Sequence, residues 1–132
     1  MNPLYIIYAV CGLGILDTLY LIYHKIAGTD VGCLFFPKEW CLKVQYSPQS
    51  KTFGIPNSIL GFLMYIGILA LAILSGMGVI PWWYAHALIA VGFLFSLYFT
   101  YVQAFILQAF CTWCVVSAIN FLVLFTTGFF IR

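Results

Sequence analysis

Charge is what this sequence has least of. Of its 132 residues, 6% are charged, against 65% hydrophobic and 20% aromatic; ordinary soluble domains carry roughly a quarter of their residues charged. From Thr52 to Ile131 there is no Asp, Glu, Lys or Arg. That absence excludes water as the main solvent of the stretch and lets it enter hydrocarbon without burying charge. The net charge of +2, spread over one loop and one terminus, excludes nucleic-acid binding. Internal repeats and low-complexity segments are missing too. So is the basic leading segment of a secretory signal peptide, and because the first apolar run is too long for one, it reads as a retained helix.

What is present is four apolar runs, roughly Leu4 to Tyr23, Ile55 to Met77, Trp82 to Gln103 and Phe110 to Ile131. Each is near the ~20 residues that span hydrocarbon. Each must be helical, because lipid offers no partner to free backbone groups. The expected fold is an all-α integral membrane protein, one domain over residues 1–132, built as a four-transmembrane-helix bundle with a long loop, 24–54, between the first two helices. That loop holds Lys25, Lys38, Lys43 and Lys51 with Asp30 and Glu39, and Pro37 and Pro48 are expected to break regular structure in it. Between helices two and three, Ser75 to Pro81 supplies glycines and a proline for a tight turn, and Trp82, Trp83 and Tyr84 suit an aromatic belt. Gln103 and Gln108 bracket a very short last connection. An even number of crossings separates the loop from the start of helix four. Cys33 and Cys41 therefore come within reach of Cys111 and Cys114.

Cys111-Thr112-Trp113-Cys114 has the C-x-x-C spacing at which two thiols close a small disulfide, and a helix N-terminus beside it favours the thiolate. Alone that motif is weak, since zinc sites share it. An all-cysteine zinc site would need four ligands in tetrahedral array, but the seven residues between Cys33 and Cys41 are more than zinc ligands usually leave and neither His lies near either pair. Thiol–disulfide exchange asks only for one thiolate and one accessible disulfide. A structural disulfide between Cys33 and Cys41 is the plain alternative, which would make the chain a non-catalytic interaction subunit, but it leaves the C-x-x-C unexplained. Cys11, mid-helix among apolar residues, reads as a small packing residue.

The ordered set Cys33, Cys41, Ser47-Pro48, Phe53-Gly54-Ile55-Pro56-Asn57-Ser58, Gly61, Tyr65 and Cys111-Thr112-Trp113-Cys114 resembles the vitamin K epoxide reductase family, four-helix membrane enzymes whose chemistry is related to that of bacterial disulfide-bond formation protein B. The resemblance implies a thiol:quinone oxidoreductase of the cell membrane. Cys33 would meet a thioredoxin-fold thiol protein, Cys41 would exchange with Cys111, and Cys114 would face a bound quinone (ubiquinone, menaquinone or similar). Asn57 falls where the family hydrogen-bonds a quinone carbonyl, with helix capping as its competing role; Leu60, Tyr65 and Leu107 fall at positions like the walls of that pocket, with bundle packing as theirs. Val115-Val116-Ser117-Ala118 replaces the tyrosine that vertebrate members carry after the C-x-x-C. Epoxide reduction is therefore less expected, and quinone or vitamin K (epoxide) reduction by the same relay stands as the alternative. At 132 residues no fused thioredoxin-like domain is expected, so the thiol partner reads as a separate protein.

Two features resist this reading. Four of the five basic residues stand in the loop, so charge alone would turn it to the cytoplasm, whereas the redox chemistry puts the cysteines on the extracytoplasmic side, away from the reductants that keep cytoplasmic thiols reduced. Asp17 lies within helix one, where an ionised carboxylate costs about 2.5–3.5 kcal/mol; it is expected to be neutral and hydrogen-bonded to a neighbouring helix, with proton relay as the sharper reading. His86 is expected to be a packed polar residue.

Overall fold

A computed structural model describes residues 2–28, 32–33, 35–48, 51–52 and 54–131, with the side chain of Thr52 set aside. Asp30 of the loop, Phe53 of the helix-opening motif and Arg132 lie outside the described residues. Among the described residues the regular structure is helical apart from one small ribbon. Helix α1 spans Pro3–Ala27, α2 Lys38–Gln45, α3 Asn57–Gly76, α4 Trp83–Tyr101 and α5 Thr112–Gly128. A two-stranded antiparallel ribbon, β1 Lys51–Thr52 and β2 Ile55–Pro56, turns at Gly54, whose φ of 79° favours glycine.

The chain sets these boundaries locally. The Asn2 side chain accepts the Leu4 N–H at 3.0 Å, and Pro3 sits where a missing N–H costs nothing. Helix α1 runs four residues past the expected Tyr23 because His24 and Lys25 are good residues for a last turn, and Gly28, at φ 69°, closes it by donating to the His24 carbonyl. Pro37 opens α2 instead of ending structure, with Glu39 in its first turn and Lys43 in its last. That eight-residue helix was not expected within the loop; it buries Cys41 and Val44, three residues apart on one face.

Helices α1, α3, α4 and α5 form a closed ring in which each packs on the next. Two clusters fill it. At one end Ile7, Cys11, Tyr65, Ile68, Trp82, Phe121 and Leu124 make a tight core. At the other, α2 and the loop bring Cys41 and Val44 against Leu21, Phe99, Leu107 and Cys111. The outward faces stay apolar, with Leu13, Leu16, Leu63 and Leu94 more than half exposed, as lipid-facing helices require and water-facing ones avoid. Helices α1 and α3, and α4 with its continuation to Leu107, are long and apolar enough to cross a membrane; α5 is shorter.

At the loop-distant end Trp83 and Tyr84 are exposed and stacked on each other. Trp82 departs from the expected belt. It turns inward and its indole N–H donates to the Gly128 carbonyl at 2.9 Å, since a buried indole needs an acceptor. His86 packs as expected, its Nε2 3.1 Å from the Phe125 carbonyl and its ring edge-on to Phe129.

Candidate functional site

All four cysteines of the loop and the C-x-x-C gather at one end of the bundle. Cys33 and Cys41 form a disulfide, while Cys111 and Cys114 are free thiols. Cys41 and Cys111 are wholly buried in the same cluster, and Cys33 and Cys114 pack against it. The Thr112 hydroxyl faces the Cys33 sulfur at 3.6 Å.

The loop is tied down by its backbone. The Gly32 N–H donates to the Tyr20 hydroxyl of α1 at 3.0 Å, and the Trp113 indole N–H of α5 donates to the Gly32 carbonyl at 2.7 Å. Tyr20 and Trp113 rings meet at 4.7 Å. Sequence spacing placed the pairs on one surface; these bonds hold Cys33 over the start of α5.

Two glutamines complete the site, and neither was singled out for it in the sequence. Gln45, one helical turn after Cys41 on α2, donates through Nε2 to the Cys111 sulfur at 3.3 Å and toward the Cys114 sulfur at 3.8 Å. The i, i+4 spacing from Cys41 was the available signal. Gln103 reads from sequence as an edge of a loop, yet it is 1% exposed. It is the second residue of a wider π-helical segment, Val102–Leu107, a feature that often marks functional sites. Its Oε1 accepts the Cys111 backbone N–H at 2.9 Å. A lone amide in a long apolar run was the clue.

Cys111 stands just ahead of α5, in extended conformation at its N-cap. The hydrogen bond from the Cys114 thiol holds the Cys111 thiol down at about 6; burial pushes the other way, and the Cys114 N–H, the Gln45 amide and the Trp113 N–H add to the lowering. At neutral pH Cys111 is therefore a thiolate, the nucleophilic form.

Beside the cysteines lies a cavity of about 320 Å³ lined by all four long helices and by α2, within the usual range for small-molecule sites. Phe95, Phe99, Met64 and Phe121 make it apolar, and Asp17, Asn57 and Cys114 bring polar atoms into its wall. Of the residues expected to line a pocket, Asn57 and Leu60 do. Asn57 is the first residue of α3, with Pro56 at the cap position. Tyr65 and Leu107 stand off the cavity. The Tyr65 ring is fully buried and stacked on Phe121, and its hydroxyl is 2.8 Å from the Ser117 hydroxyl behind the wall. Leu107 packs in the cluster of Cys41 and Cys111. Asp17 is buried, and among the described residues its carboxyl has no hydrogen-bond partner: Thr18, beside it, turns its hydroxyl to the Gly14 and Ile15 carbonyls instead.

The fold and site define an integral membrane helical bundle with a paired-cysteine centre opening on an apolar cavity. Residues 5–129 match the family described as the vitamin K epoxide reductase family, and the chain belongs to it. Part of the chain is also similar to the thiol-disulfide oxidoreductase LTO1 of Arabidopsis thaliana, 38% identical over 66 residues, which cover 50% of this chain and 17% of that protein.

Proposed function

We propose that this protein is a membrane thiol:quinone oxidoreductase that takes electrons from a thioredoxin-fold thiol protein through Cys33 and Cys41 to Cys111 and Cys114, and on to a quinone in the cavity. The observation that carries this reading is Gln45 between the two pairs: it stands one turn from Cys41, bonds both C-x-x-C sulfurs, and lines the cavity that Cys114 also lines. Family membership and the similarity to a thiol-disulfide oxidoreductase support thiol chemistry. The reading takes α5 as a fourth span, since its 17 residues rise about 26 Å against a hydrocarbon core of ~30 Å, and puts the cysteines on the extracytoplasmic side, where a disulfide persists.

The cavity fits a quinone ring. It is apolar, of suitable volume, and open to a thiol and an amide. When bound, a quinone supplies a two-electron, two-proton acceptor. Asn57 would hold a carbonyl oxygen through its amide N–H, worth more in a dry site than in water, and Leu60 and Phe95 would pack on the ring. The Cys33–Cys41 disulfide and the free thiols of the C-x-x-C are the arrangement this reading needs before electrons pass to the cavity. Cys114, in the cavity wall, would stand as the thiol facing the ring, and the Cys111 thiolate beside it would close the disulfide. In the next round a reduced Cys41 attacks Cys111, its neighbour in the same cluster.

Stopped-flow oxidation of a reduced thioredoxin-fold protein by the purified protein and ubiquinone-1 tests the order. Cys114→Ala is expected to lose quinone reduction and Cys33→Ala to lose transfer from the partner. Wild-type turnover in both variants would leave the cysteines a structural role only.

A further inference from the structure

Asp17 is the single acidic residue of the apolar helices, and it is 6% exposed. Among the described residues neither of its carboxyl oxygens has a hydrogen-bond partner. Burying such a group unpartnered is costly, and the hydroxyl of Thr18 beside it bonds its own helix instead. Asp17 lines the same cavity as Asn57 and Cys114, and its carboxyl interacts electrostatically with the Cys111 and Cys114 sulfurs. The partner it lacks within the protein is one that a ligand oxygen in the cavity can supply.

We propose, resting on the quinone reading above, that the Asp17 carboxyl hydrogen-bonds a quinone oxygen in this cavity and carries one of the two protons that reduction requires. The step balances. Joining the Cys111 thiolate to the Cys114 thiol releases two electrons and one proton, and with one further proton from water at the loop end these make the two O–H bonds of the hydroquinone. Asp17, neutral before the step, gives its proton to the nearer oxygen and regains one from the Cys114 thiol as that sulfur joins Cys111. The quinone is the oxidant, and a proton from water is the one co-reactant. Asn57 then has the complementary task, donating to an oxygen without giving up its proton.

The test uses the full chain in detergent, with ubiquinone-1 as probe and wild type, Asp17→Asn and Asp17→Glu compared. Quenching of Trp113, in the cavity wall, reads binding separately from chemistry. The Asn variant keeps a donor for the quinone oxygen in its amide N–H but cannot give up that proton, so it is expected to bind ubiquinone-1 only slightly more weakly than wild type. Its single-turnover reduction of ubiquinone-1 should slow about 100-fold or more, with the Glu variant recovering most of the rate. Infrared difference spectra upon adding ubiquinone-1 should show a carboxyl band that moves in wild type and is missing in the Asn variant. Reduction at the wild-type rate by Asp17→Asn, or no carboxyl band in wild type, would overturn the role of Asp17 while leaving the quinone reading intact. Wild type that neither binds nor reduces ubiquinone-1 would overturn both.

Discussion

The two ends of the bundle solve opposite problems with the same apolar alphabet. Away from the loop, helices come together over glycine: a Cβ on Gly14 would run into the Tyr65 ring, and one on Gly128 would lie 2.6 Å from the His86 ring. Aromatic faces fill what space remains, as with Phe93 on Phe125 at 4.7 Å. Toward the loop, the same four helices part around about 320 Å³. Polar groups there are spent on sulfur and backbone rather than on each other, with Gln45 on two thiols and Gln103 on the N–H of Cys111. One end is closed to hold the helices; the other is held open by amides that keep a thiolate in place. In a bilayer, where association cannot lean on expelling water, close contact over small residues supplies the adhesion, which frees the other end for chemistry.

That contrast can be broken at either end. The largest effect is expected from Gly14→Val, which drives a branched side chain into the Tyr65 ring and should destabilise the fold by about 3 kcal/mol, at the upper end of the usual overpacking cost; thermal melting in detergent measures it, and an unchanged melt would mean that the closed end is as loose as the open one. A smaller loss, about 1–3 kcal/mol, is expected of Gln103→Leu, which leaves the buried N–H of Cys111 without an acceptor. The same melt reads it, and a neutral result would show that water enters to replace the amide. The smallest effect is on titration. Thiolate absorbance, taken as wild type minus Cys111→Ser, should rise with a midpoint at about 6, and Gln45→Leu should move that midpoint upward, because one of the donors to the thiolate is lost. The sign for stability follows from a folded value below the unfolded one near 8.5. The contribution of Cys111 is full above that unfolded value and is lost as pH falls through about 6. A midpoint at the ordinary thiol value in wild type would remove the contrast between the ends.

Much of this was legible in the residues. A stretch of eighty residues without a formal charge, Thr52 to Ile131, can only be long apolar helices, and an ordered set of cysteines around them fixes which ends must meet. What escaped reading shares a cause: each is a matter of which way a single polar group turns. Gln103 looked like the edge of a loop because an amide in an apolar run is cheap to place at a boundary, and only the wider helical turn shows it facing in. Trp82 belonged by composition with Trp83 and Tyr84, yet one acceptor at Gly128 draws it inside. Helix α2 is too short for periodicity to declare it, and Pro37 reads equally as an ending or a beginning. Asp17 was read as hydrogen-bonded to a neighbouring helix, with proton relay as the rival, and among the described residues it has no such partner.

The moorings of α5 carry a last consequence. Gln103 grips the backbone just before its first residue, and Trp82 grips the carbonyl of Gly128, its last. A helix pinned at both extremities cannot slide along its axis, so the depth of Cys114 below the membrane surface is set by covalent geometry and two hydrogen bonds, not by the thickness of the surrounding lipid. On the proposed function, Cys114 would behave as an electrode at fixed immersion, and bilayers of different thickness should change how easily a ligand enters without changing how far it sits from the sulfur.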